Sequence, residues 1–224
     1  MTELTSAVQL SLVLASLTTA ILLVIGMPLA WWLARTRTPL KPLIEAVTAL
    51  PLVLPPSVLG FYLLVVMSPN SAIGSAFVTL TGETMAFSFT GLLVASVIYS
   101  LPFAVQPLQT AFQSVGRGTL EAAAVLGAGP FDAFRNVALP LARRGILTAS
   151  VLTFAHTLGE FGVVLMVGGN IPGRTRTISI EIYSAVETLD YATAHLLSAG
   201  LVIFSFLVLV AVYFLNGRGV RVGG

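Results

Sequence analysis

Few side chains in this sequence could take part in acid–base or ligand chemistry, and they concentrate in two runs. The first, T-F-A-H-T-L-G-E-F-G, sets His156 and Glu160 four residues apart, the spacing that places two side chains on one helical face. An ionisable group in so apolar a neighbourhood implies a function for it. Glu160 either braces a bent helix, accepting a bond from a neighbouring backbone N–H where Gly159 and Gly162 permit the bend, or moves with a gate. His156 is its candidate hydrogen-bond partner and Phe161 flanks it. A carboxylate is a poor ligand for an anion, because like charges repel. The second run, V-G-G-N-I-P-G-R-T-R-T-I-S-I-E-I-Y, spans Val167 to Tyr183 and carries Arg174 and Arg176. These arginines could pair with acidic groups on a binding partner, draw an anion toward them, or stay solvated. No catalytic constellation is present. There is no cysteine, the two histidines (His156 and His195) are far apart, and G-x-x-x-x-G-K-[ST], H-E-x-x-H and G-x-S-x-G are all missing. The sequence argues against an enzyme and shows no cofactor or metal site of its own.

The elements that position these residues are set by composition. Of 224 residues, 56% are hydrophobic and 9% charged, where a soluble domain carries about 25% charged residues. An all-α integral membrane protein is expected, a single transmembrane domain over 1–224. Five apolar stretches reach the roughly 20 residues that a span needs, at about 8–34, 43–67, 87–112, 145–168 and 196–215. The first starts beside Glu3 and is too long for a signal peptide. Pro51, Pro55 and Pro56 interrupt the second span, and Pro102 and Pro107 the third. Each removes a helical hydrogen bond, so these prolines predict broken helices, at Pro55 and Pro102 in particular, that either line a path or improve packing. The segment Ser68–Thr84 reads as a small, polar loop. Ile182, Val186 and Leu189 suggest a short amphipathic helix at the outer interface. Arg35, Arg37, Lys41, Arg117, Arg135, Arg143, Arg144, Arg218 and Arg221 all fall on one side, leaving only Arg174 and Arg176 opposite. The positive-inside rule then places the N-terminus outside and the C-terminus inside. A net charge of +2 gives no reason to expect nucleic acid.

Between the third and fourth spans lies a soluble-looking cytoplasmic loop, 117–144. From Glu121 it reads E-A-A-A-V-L-G-A-G-P-F-D-A-F-R-N-V-A-L-P. Thr119 is a candidate cap for a helix with Glu121 in its first turn, ended by Gly127 and Gly129. Pro130 suits the start of a second helix, carrying Phe131, Phe134 and Val137 on one face until Pro140 interrupts it. Such an elbow, apolar and outside the bilayer, calls for a groove on a partner.

This segment resembles the "EAA" loop of permease subunits of ATP-binding-cassette importers: E-A-A, three residues, Gly, nine residues, an apolar residue, any residue, then Leu-Pro. Glu121, Ala122, Ala123, Gly127, Val137, Leu139 and Pro140 fall on that pattern, with Val137 where Ile is commoner. L-P-L-V-L-P-P at Leu50–Pro56, L-G-E-F-G at Leu158–Gly162 and N-I-P-G-x-T-[RK]-T at Asn170–Thr177 resemble the molybdate permeases. Some relatives have an additional N-terminal span that this sequence lacks. The resemblance implies a type I importer fold in the bacterial-type inner membrane, working with a second copy of itself, two ATP-binding cassette subunits that hold ATP-Mg, a periplasmic molybdate-binding protein and membrane lipid. Tungstate or sulfate is the alternative cargo. An ion-coupled carrier or channel would place more polar groups at midplane and repeat its halves, and a membrane scaffold would leave the elbow unexplained.

Overall fold

The computed structural model describes residues 2–217. Arg218 and Arg221, used above to orient the chain, lie outside the described residues. Every regular element among the described residues is helical. α1 (Thr2–Arg35) is followed by α2 (Lys41–Val53), α3 (Pro56–Met67), α4 (Ala72–Thr81) and α5 (Phe89–Ser114). After the short α6 (Arg117–Val125), α7 (Pro130–Asp132) runs through a π-helical turn, Ala133–Ala138, into α8 (Leu139–Gly159). The chain closes with α9 (Gly162–Gly168), α10 (Ile178–Glu187) and α11 (Tyr191–Gly217).

α5 is the centre of the molecule, with α1, α2, α8 and α9 all packed on it. Helix association inside a bilayer gains little from the hydrophobic effect and depends on close backbone approach over small residues. Gly26 of α1 accordingly meets Ala104, Val105 and Leu108, and Gly145 of α8 sits so tightly on Ala111 that an added Cβ would overlap it. Near the last turn of α5, Trp31, Phe112 and Phe134 form an aromatic cluster with ring centroids 5.1–5.9 Å apart. The Arg35 guanidinium stacks 4.0 Å over the Trp31 ring, a contact that keeps a cation at the edge of the apolar layer.

The prolines behave differently from one another. Pro55 and Pro56 do break the second span: α2 and α3 meet at 109°, with Pro55 extended (ψ 135) and Pro56 opening α3. The bent pair still crosses the molecule. Glu45 of α2 is bonded to Gln109 of α5 at 2.6 Å, whereas Met67 of α3 clusters with Ala95 of α5, about 21 Å further along that helix. Pro51, Pro102 and Pro107, by contrast, lie inside unbroken helices. The expectation of a break at Pro102 is therefore wrong. Helices packed around α5 hold it straight against the loss of single bonds.

Three further elements correct or sharpen the expectation. The Ser68–Thr84 segment contains α4, because Ser71 caps it by accepting from Gly74 N–H at 2.9 Å and Gly82 (φ 75) closes it. The fourth span does bend between Gly159 and Gly162, and fully enough to make two helices, α8 and α9, separated at Glu160 and Phe161. α10 exists, but it buries Ile178, Ile180 and Ala185, while Val186 and Leu189 face out. Asp190 then caps α11 through Thr193 N–H at 3.2 Å. Its hydrogen bonds with Thr193 hold the Asp190 carboxyl below the usual carboxylate range.

Candidate coupling site and passage

The elbow is built from two helix termini and a turn. α6 starts at Arg117 behind Gly116 (φ 69), with no side-chain cap. Thr119 is thus inside the helix, and Glu121 is an exposed mid-helix residue outside the first turn. The far end matches the glycine signal. Gly127 (φ 92) donates to Ala124 C=O at 2.9 Å and Ala128 donates to Ala123 C=O at 3.0 Å, the paired bonds of a Schellman stop. Gly129 is the residue before α7, and Pro130 is its first residue.

Pro140 does not interrupt the second arm. It is the second residue of α8, and the π turn preceding it lets the helix continue from Pro130 to Gly159. The widened turn also separates residues that a 3.6 period would align. Phe134 faces inward onto Trp31 and Phe112, and Val137 and Leu139 pack against the same core. Phe131 points out, 73% exposed, as do Val125 and Leu126 at 87% and 88%. The predicted residues therefore divide by position. Glu121, Ala122 and Pro140 are exposed, Ala123 is half-buried, Gly127 makes the corner, and Val137 and Leu139 anchor it from beneath. The outward apolar tip of Val125, Leu126 and Phe131 went unrecognised in the sequence. Two apolar residues immediately before the stop glycine were its signal.

The passage candidates also divide. Pro55 lies at the break between α2 and α3, and Pro102 is buried in α5. Glu160 occupies the break between α8 and α9, only 4% exposed. Neither carboxyl oxygen has a hydrogen-bond partner among the described residues, so the expected brace to a backbone N–H is absent. The extended backbone at Glu160 (ψ 134) directs the side chain to α5, beside Ser96. His156 is not its partner either. Its Nδ1 lies 2.9 Å from Ser100 Oγ, its ring stacks on Phe103 at 3.8 Å, and Tyr99 is 5.0 Å away. Phe161 packs on Tyr183 at 4.9 Å. The two breaks touch: a Cβ on Gly162 would come within 2.7 Å of Pro56 Cβ.

The two arginines opposite the elbow are paired within the chain. Arg176 bonds Asn170 Oδ1 at 2.6 Å and Glu181 at 3.2 Å, tying the loop after α9 to α10. Arg174 lies 3.8 Å from Glu83. That pair is exposed, and such pairs contribute about 0–1 kcal/mol.

Several apolar crossings around a central helix, two breaks in contact and a projecting apolar elbow describe a polytopic membrane protein with an exposed apolar surface at one face. The match to known families agrees: residues 22–218 fit the model of the binding-protein-dependent transport system inner membrane component. The chain belongs to that family. Its relatives include the molybdenum transport system permease protein ModB of Azotobacter vinelandii, 61% identical over 93% of this chain and 92% of that protein. The ModB of Escherichia coli K12 is 41% identical over 81% and 80%. The sulfate transport system permease protein CysT of Salmonella typhimurium LT2 is 33% identical over 90% and 73%.

Proposed function

We propose that this chain is the membrane-spanning subunit of an ATP-driven molybdate importer. The observation that carries this reading is the 61% identity, across nearly the whole chain, to a molybdenum permease, against 33% to a sulfate permease. The subunit works as a pair with a second copy, and residues 1–224 act as one transmembrane domain. Two separate ATPase subunits bind and hydrolyse ATP-Mg and receive the elbow, with Val125, Leu126 and Phe131 entering their groove and Glu121 and Ala122 flanking it. A periplasmic binding protein delivers the ion to the face that carries α4 and α10. Because Arg174 and Arg176 already have carboxylate partners, they shape that face more than they attract the ion. Uptake of labelled molybdate by the complete transporter, with tungstate and sulfate as competitors, tests the reading. Molybdate is expected to be taken up and sulfate to compete poorly. Uptake of sulfate in preference to molybdate would reassign the cargo.

In this reading the elbow lies in the cytoplasm and the N-terminus outside, as the distribution of basic residues supports. The protein has no native cysteine, so single cysteines can report topology directly. Asn70→Cys and Glu187→Cys, both exposed, are expected to react in intact cells with an impermeant thiol reagent. Gly118→Cys, on open surface, is expected to react only after permeabilisation. Labelling of Gly118→Cys from outside would invert the topology.

A further inference from the structure

Gln106 sits where a membrane helix would be expected to carry an apolar side chain. It lies eight residues before the end of α5 at Ser114, about 12 Å along the axis and within the apolar span Phe89–Ser114. Its side chain is exposed, and its amide has no hydrogen-bond partner among the described residues. The adjacent amide of Gln109 is satisfied by Glu45 at 2.6 Å. Phe103, Gln106, Thr110 and Gln113 follow at i, i+3, i+7 and i+10, within one narrow arc of the helix. Thr110 and Gln113 are exposed as well, so the stripe is polar toward the elbow end. Pro107, within it, has no N–H to offer the Phe103 carbonyl. Lipid can satisfy none of these groups.

The same level of α11 is different. Val202, Ile203, Phe206 and Leu207 are 59–67% exposed and uniformly apolar, as a lipid-facing surface requires. Beside the α5 stripe is a cavity of about 340 Å³ whose wall includes Leu52, Pro102, Phe103, Gln106 and Thr110. The Phe103 ring, stacked on His156, stands at one end of the stripe.

We infer that the Gln106 amide, on the polar face that α5 turns to the passage between the two copies, donates a hydrogen bond to a tetrahedral oxyanion passing along it. The inference rests on the transport reading for its ligand and on polarity at bilayer depth for its wall. Thr110 gives its hydroxyl proton to the main-chain carbonyl of Gln106 at 3.0 Å, which leaves the Gln106 side-chain NH₂ as the free donor at this level of the stripe. Neutral donors of this kind hold a dianion loosely enough to release it.

The test uses the complete transporter in vesicles with the elbow side outward and a hydrophilic, impermeant thiol reagent. Gln106→Cys and Thr110→Cys are expected to react, and Leu207→Cys to remain unlabelled. Molybdate is expected to slow the reaction at Gln106→Cys. Gln106→Leu should raise the KM for uptake about tenfold, the effect of losing a hydrogen bond to a charged group, and Gln106→Asn should restore part of it. If both α5 cysteines stay as silent as Leu207→Cys in assembled transporter, the wall is overturned, whatever the cargo. If they label but neither molybdate, tungstate nor sulfate changes the rate, and Gln106→Leu leaves KM unchanged, the donor role of Gln106 is overturned. A wrong cargo alone would show as protection by a different oxyanion with labelling intact.

Discussion

Gly127→Val should sever transport from ATP hydrolysis while leaving the subunit inserted and paired. The corner adopts φ 92, and a Cβ there meets nothing within 4 Å, so the penalty is conformational, with no clash to relieve. Holding a β-branched residue in the left-handed region costs about 1–2 kcal/mol. That lowers the population of the correct corner roughly 5- to 30-fold. Uptake is expected to fall by a similar factor, because Val125, Leu126 and Phe131 are aimed by this turn. Gly127→Asn separates the causes, since asparagine tolerates positive φ. It should retain most activity if the backbone is what matters. Equal loss in both variants would mean that the corner itself is pressed against a groove. Unchanged uptake in Gly127→Val would remove the corner from coupling altogether.

The second large effect is expected where the broken spans meet. Gly162→Val puts a branched side chain against the Pro56 ring, 2.7 Å from the first added carbon. Neither partner has a flexible end that could swing aside. Overpacking of this kind costs about 1–3 kcal/mol, a fall in Tm of roughly 2–12 °C for a domain of this size. Uptake should be lost as well, because the clash wedges α3 from α9. Pro56→Gly removes the opposing carbon but places a glycine in the first turn of α3, at a cost of its own of up to about 1 kcal/mol. The double variant Pro56→Gly/Gly162→Val is therefore expected to be more stable than the sum of the single changes by at least 0.5 kcal/mol, the lower range for residues in contact. Strict additivity in the thermal melts would show that the two breaks do not bear on one another.

What could be read in advance followed the range of the cause. Gly127 was legible because a helix stop is decided by two or three residues, and Pro55–Pro56 because adjacent prolines break a helix whatever surrounds it. Pro102 and Pro107 were misread because the consequence of one lost bond depends on the helices packed around α5, which no local pattern reveals. The second arm of the elbow failed for a subtler reason. A π turn before Pro140 changes the angular step, so Phe131 and Phe134, assigned to one face, turn to opposite environments. Thr119 lost its capping role because Gly116 had already started the helix. The direction of the Glu160 side chain depends on the extended backbone at the break and so stayed hidden. The polar stripe through Gln106 and Thr110 was legible in principle, at helical spacing within an apolar run.

The uninterrupted helix from Pro130 to Gly159 has a mechanical consequence. It is seated closely on α5 at Gly145, against Ala111, near the middle of its length. The two halves are each about 22 Å long, one ending at the projecting elbow and the other at the break beside Glu160. A stiff beam seated at mid-length behaves as a seesaw with a mechanical advantage near one. A push delivered at the elbow would reach the break undiminished and reversed in direction. Closing the beam at one membrane face would then open it at the other, and a single fulcrum would be enough to give alternating access.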